Sequence, residues 1–269
     1  MAGLAAVAAA LLLPGFVPIR GGPHEGIVLR GRFPGTERSG YVYLPPAFSD
    51  AQRYPVVYLL HGMPGSPSEY LHGAGLVDFA DTAIADGSVR PFIAVAPAAG
   101  GRRGYNGEWA GPWERRLVRR VLPWVDVHLP TVADRSGRIL AGLSAGGYGA
   151  VDIGLRNADL FGTVESWSGY FSPLRDGPFA HAPASVLEAH DPVRIAASNA
   201  RDLRRDGQRY FLSSGPAHSH WFRPGATIAF AIELHRLGIR TELRLFPDRH
   251  GEYRDQLAAG LTWALAARS

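Results

Sequence analysis

The run "YPVVYLLHG", residues 54 to 62, constrains this chain more than any other feature. It is almost wholly apolar, too short for a buried helix, shows no alternation with polar residues, and ends in glycine. Such a run reads as a strand covered on both faces, the signature of a parallel sheet between two helical layers. "PFIAVAPAA" and "RILAGLS" repeat the pattern, and "GTVESWSG", "RYFLSSG" and "RTELRLFPD" continue it. Helical periods lie between them: "LVDFADTAIA", "GGYGAVDIGLRN", "PVRIAASNARDL", "PGATIAFAIELHRLG" and "YRDQLAAGLTWALAAR". In "WERRLVRRVLPWVDVHL" the residues Leu117, Val118, Val121, Leu122 and Val125 share one face, and Pro123 is expected to kink the helix. "GIVLRGRF" and "GYVYLPPAF" flank the turn-forming "PGTERSG" as an antiparallel pair, and Tyr170 to about His190 is looser. The alternation predicts a single α/β domain, a mostly parallel central sheet with helices on both faces.

At 269 residues, 46% hydrophobic and 19% charged, the chain has the balance of one large globular domain. The absence of cysteine excludes a disulfide framework and a thiolate metal site. All 28 basic residues are arginine, and the net charge is +4. The short clusters Arg102–Arg103, Arg115–Arg116 and Arg119–Arg120 read as solvated faces. Without interleaved aromatics or a recognition module, no nucleic-acid partner is expected. The start, "MAGLAAVAAALLLPGFVPIRG", is apolar to Pro18. It is shorter than the roughly 20 residues of a membrane span and lacks the positively charged start of a signal peptide, whose apolar region it otherwise resembles. The reading is an apolar leader over residues 1–20, directing export or membrane association, and one domain over 21–269; a cytoplasmic location is the alternative.

The chemistry centres on "GLSAG", residues 142 to 146, a G-x-S-x-G with a strand before it and a helix after it. A serine on so sharp a turn has a strained backbone, and the glycines let strand and helix approach without Cβ clashes. Ser144 is the candidate nucleophile, at a helix N-terminus that favours developing negative charge. The N–H of Ala145 is one candidate oxyanion donor. The other is the N–H of Met63, in the loop "LLHGMPGSPSEY" after the earlier buried strand. His250, in "LRLFPDRHGEYRDQL" between the last strand and the last helix, is the candidate base.

These residues resemble the esterase family of α/β hydrolases that includes esterase D, feruloyl esterases and the antigen-type mycolyltransferases. The likeness covers roughly residues 38 to 266 and rests on "YPVVYLLHGMPG", "GEWAGPWERRLVRRVLPWVD", "GLSAGGYGAVDIGL", "LFGTVESWSGYFSP" and "FPDRHGEY". It implies the α/β-hydrolase fold, ester chemistry without a cofactor or metal, and a small-molecule ester as partner. It also implies that Trp109 and Glu114 sit near the mouth of the site and help hold loops there. Tyr170, His220 and Trp221 are further candidates to line the pocket.

One position departs from the family. There the acid of the triad follows the strand that here reads "RYFLSSGPAHSHWF", and Gly215 to His220 contain no carboxylate. The acid fixes the histidine tautomer, and replacing it by an amide in a serine protease costs about 10⁴ in kcat. Three explanations compete: a carboxylate from elsewhere (Asp176 or Asp191), a polar relay through His218 or His220, or a pocket that has lost hydrolysis. Asp248 is too close to His250 in sequence to reach its ring correctly. His218-x-His220 also has the spacing of two metal ligands, but no third ligand accompanies it, and no metal is assigned. The leading expectation is a serine esterase. Acyl transfer to an alcohol or sugar uses the same residues, and a silent binding protein is the reading if the acid is truly missing.

Overall fold

The computed structural model describes residues 13–22, 24–100, 107–175, 177–216, 224–247 and 253–266. Its strands are β1 (Phe16–Arg20), β2 (Ile27–Gly31), β3 (Gly40–Leu44), β4 (Val56–Leu60), β5 (Ile93–Ala96), β6 (Arg138–Leu143), β7 (Thr163–Trp167), β8 (Arg209–Ser214) and β9 (Arg240–Leu245). They form one sheet in the order β1-β2-β3-β5-β4-β6-β7-β8-β9. β1, β2 and β3 are antiparallel, β3 joins β5 antiparallel, and β5 through β9 run parallel.

The helices are α1 (Glu69–His72), α2 (Leu76–Ala85), α3 (Pro112–Arg116), α4 (Leu122–His128), α5 (Ala145–Arg156), α6 (Ala184–Ala189), α7 (Pro192–Asp206), α8 (Pro224–Arg236) and α9 (Arg254–Leu265). The continuous apolar runs are explained by two cores, one on each face of the sheet. Val57 and Leu59 pack with Leu76, Val77 and Ala80 of α2 and with Leu257 and Leu261 of α9. Val56, Tyr58 and Leu60 point the other way, into a core with Val125 of α4, Ile153 of α5, Ile195 of α7 and Phe230 of α8. Each such aliphatic side chain contributes roughly 1.5–3 kcal/mol relative to exposure, so a polar residue on either face of β4 would be selected against. Among the described residues no helix is long and apolar enough to cross a membrane.

One expectation changes. The apolar leader is expected to run to residue 20, but Phe16–Arg20 is the first strand of the sheet. Leu13 and Phe16 are buried, and Phe16 packs against Phe33 and Trp124 at ring distances of 5.0 and 5.4 Å. Around Pro123 the helix is continuous but irregular: a π-helical turn, Leu117–Val121, stands between α3 and α4 and ends two residues before the proline.

Candidate functional site

The strand order places the site before any side chain is considered. From β4 the chain crosses to β5 on one side, while β6 lies on the other, so a crevice opens at their carboxyl ends. The register aligns those ends: Leu60 pairs with Gly142, Gly142 with Ser166, and Trp167 with Ser213.

Ser144 stands there with φ 54° and ψ −120°, a conformation in which non-glycine residues are strained. Its N–H donates to the Trp167 carbonyl at 2.9 Å, and its side chain does not cap α5. The surrounding glycines are sterically required. A Cβ on Gly142 would collide with the Gly146 carbonyl, and one on Gly146 with the Leu60 carbonyl. On Gly147 it would stand 2.7 Å from Ser166 Oγ. The turn is thus pressed against the end of β4, beside the loop that follows it.

That loop is held by a buried histidine. The Ala99 N–H donates to His61 Nε2 at 3.1 Å, so Nδ1 carries the proton and faces the Gly62 carbonyl at 2.8 Å. Burial pushes the His61 pKa down to about 4, and the ring is neutral near pH 7. Trp109 Nε1 donates to the His61 carbonyl at 3.0 Å, and its indole packs edge-on against the imidazole. Gly62 follows directly: a Cβ there would lie 3.5 Å from the Ser144 Cβ. Met63 and Ala145 join one apolar cluster with Tyr148 and Tyr170.

A cavity of about 240 Å³ opens on Ser144, lined also by Met63, Glu69, Leu143 and Tyr253. Glu69 Oε1 accepts the Ser66 N–H at 2.9 Å, which folds the loop back on itself, and partial burial raises its pKa. Tyr253 is the N-cap of α9, three residues after His250 in sequence.

Of the expected site residues, the fold brings Ser144, Ala145 and Met63 together. Trp109 holds the loop from a fully buried position behind it, and not from the mouth where the resemblance put it, because its indole N–H is spent on the His61 carbonyl. Tyr170 is also buried, stacked on Tyr148 and donating to Glu108 at 2.9 Å. Glu114 is misplaced by the sequence reading. It pairs with Arg156 at 2.7 Å, and Arg156 is the last residue of α5, about 16 Å along the axis from Ala145. Glu114 therefore clamps the far end of that helix, where Arg156 also binds Asp152, and does not border the mouth. Asp191 caps α7, its carboxylate accepting the N–H groups of Val193 and Arg194 at 3.0 and 3.1 Å. His250, Asp176, His218, His220 and Trp221 lie outside the described residues.

At the carboxyl ends of β7 and β8, the sequence reading missed a buried uncharged network. Ser213 Oγ donates to Gln256 Oε1 at 2.8 Å, and Gln256 Nε2 donates to Ser168 Oγ at 3.0 Å. Ser168, like Ser144, has a positive φ, 49°. No local pattern marks Gln256, because its partners Ser213 and Ser168 are distant in the sequence, whereas Glu69 closes on Ser66 only three residues before it.

Comparisons with known proteins agree with this geometry. Residues 32–264 match the family model described as "Putative esterase". Esterase Rv1288 of Mycobacterium tuberculosis is 29% identical over 206 residues, 67% of this chain, and the chain spans only 44% of that relative's length. The endo-1,4-beta-xylanase/feruloyl esterase of Xylanibacter ruminicola is 34% identical over 139 residues, 48% of this chain and 19% of that protein. Among solved structures, a ferulic acid esterase superposes with a TM-score of 0.74 at 25% identity, covering 93% of this chain and 96% of the other. An S-formylglutathione hydrolase from Agrobacterium tumefaciens, at 17% identity, has a TM-score of 0.71 over 93% and 98% of the two chains, a likeness of fold. With the family model spanning most of its length and the α/β-hydrolase sheet and serine turn in place, this chain belongs to that esterase family.

Proposed function

We propose that the protein is a serine esterase acting on carboxylic esters. The observation that carries the proposal is the strained Ser144 turn, opening on a cavity beside the loop that His61 and Trp109 hold in place. Ser144 Oγ attacks the ester carbonyl, and the N–H groups of Met63 and Ala145 receive the oxyanion. His250 takes the serine proton and returns it to the leaving alcohol. The acyl-enzyme is then released by water activated on the same histidine.

With Asp191 engaged as a helix cap, Asp176 and the relay histidines His218 and His220 are the remaining partners for His250 under this mechanism. A cavity of about 240 Å³ is below the usual 300–1,000 Å³ of drug-sized ligand sites and suits short acyl groups. The test is turnover of short and medium p-nitrophenyl esters by the wild type and Ser144→Ala across pH 5 to 9. The reading requires turnover that rises through an apparent pKa near 6 to 7, the range of an ordinary histidine, and vanishes in the variant. Unchanged turnover in Ser144→Ala would end it. A loss of about 10⁴ in kcat in Asp176→Asn, with His218→Ala nearly neutral, identifies the acid, and the reverse identifies a relay.

A further inference from the structure

We infer that the oxyanion-side loop carries a second, anion-binding cavity on its other flank, and that this cavity takes a carboxylate or phosphate substituent of the ester substrate. This second clause rests on the esterase reading. The cavity, of about 390 Å³, lies between the β2–β3 face and residues 66–68 of the loop.

Its walls are set by the sheet. The register of β2 on β3 puts Arg30 opposite Tyr41, and Arg32, two residues on, follows on the same side. Arg38 approaches from the β2–β3 connection, and its Nη1 donates to the Gly65 carbonyl at 3.4 Å. Ser66 and Ser68 supply hydroxyls from the loop. Three arginines therefore line one concavity whose single lining carboxylate among the described residues is Glu37, an excess of two positive charges.

Elsewhere many arginines are paired, as in Arg138–Asp126, Arg156–Glu114 and Arg236–Glu233. Among the described residues Arg30, Arg32, Arg38 and Glu37 form no ion pair. Three like charges against one carboxylate leave an excess that an entering anion neutralises. The guanidinium fork matches the oxygen pairs of carboxylate and phosphate.

The link to Ser144 is the loop itself. Ser66 lines the cationic cavity and donates its N–H to Glu69, and Glu69 lines the Ser144 cavity. One short loop thus borders both cavities, with Ser66 on the cationic side and Glu69 on the serine side.

The experiment has two arms, run on the wild type, on Arg30→Gln/Arg32→Gln, and on Arg115→Gln/Arg119→Gln, which removes the same charge from another surface. The first is calorimetric binding of inorganic phosphate at fixed ionic strength. The second is the ratio of kcat/KM for p-nitrophenyl hydrogen succinate over p-nitrophenyl butyrate. The expected result is phosphate binding and a ratio that both fall at least about fivefold in Arg30→Gln/Arg32→Gln and hold in the control pair. Phosphate binding that is absent, or equal in all three proteins, overturns the cavity. Binding lost in the double variant with no change in the ratio overturns the substrate assignment and leaves a site for a free anion. If neither ester is turned over, the esterase reading fails, while the phosphate arm still decides the cavity.

Discussion

Glu165 gives the fold a pH dependence that can be worked from its surroundings. It lies fully buried on β7, with its Oε2 accepting the Trp167 indole N–H at 3.1 Å and its Oε1 without a partner among the described residues. Burial pushes its pKa from 4.5 up to about 8 despite that hydrogen bond and the Arg209 charge. A carboxyl raised in the folded state is held neutral there while the unfolded chain ionises, so stability is fullest below pH 4.5 and falls as pH rises to about 8. At 1.36 kcal/mol per unit, the fall between pH 5 and 8.5 is about 4 kcal/mol. Glu165→Gln keeps an acceptor for the indole and cannot ionise. Urea unfolding of both proteins should therefore show the variant's advantage growing by about 4 kcal/mol from pH 5 to pH 8.5. An advantage that is flat across that range, within about 1 kcal/mol, refutes the reasoning.

Three further substitutions probe the site. Gly146→Ala pushes a methyl into the Leu60 carbonyl and moves the serine turn off β4, so ester turnover should fall at least about 100-fold, read by steady-state kinetics. Trp109→Phe removes the donor to the His61 carbonyl; it should cost about 1 kcal/mol in urea unfolding and several-fold in kcat as the loop loosens. Asp191→Ala removes only a helix cap, so Tm should fall by a few degrees while kcat/KM holds, and a loss of about 10⁴ in kcat would show instead that Asp191 serves His250.

Much of this was legible because local physics decides it. The two apolar faces of β4 require helices on both sides, and Gly-x-Ser-x-Gly after a strand requires a turn that only small neighbours permit. β1 was misread because "FVPIR" is as compatible with a leader as with a strand, and what decides is the Phe33 and Trp124 surface that receives Phe16. Glu114 was misread because its partner Arg156 is 42 residues away and only the fold shows at which end of α5 they meet. Gln256 carries no local signature, since the network it holds joins Ser168 and Ser213 from two separate strand ends.

The most direct test of the central claim is intact-mass analysis after treatment with a fluorophosphonate, followed by peptide mapping. A reactive serine predicts one adduct per chain, located on Ser144 and absent from Ser144→Ala. No adduct on the wild type, or an adduct that survives the substitution, would contradict the assignment of Ser144 as the nucleophile.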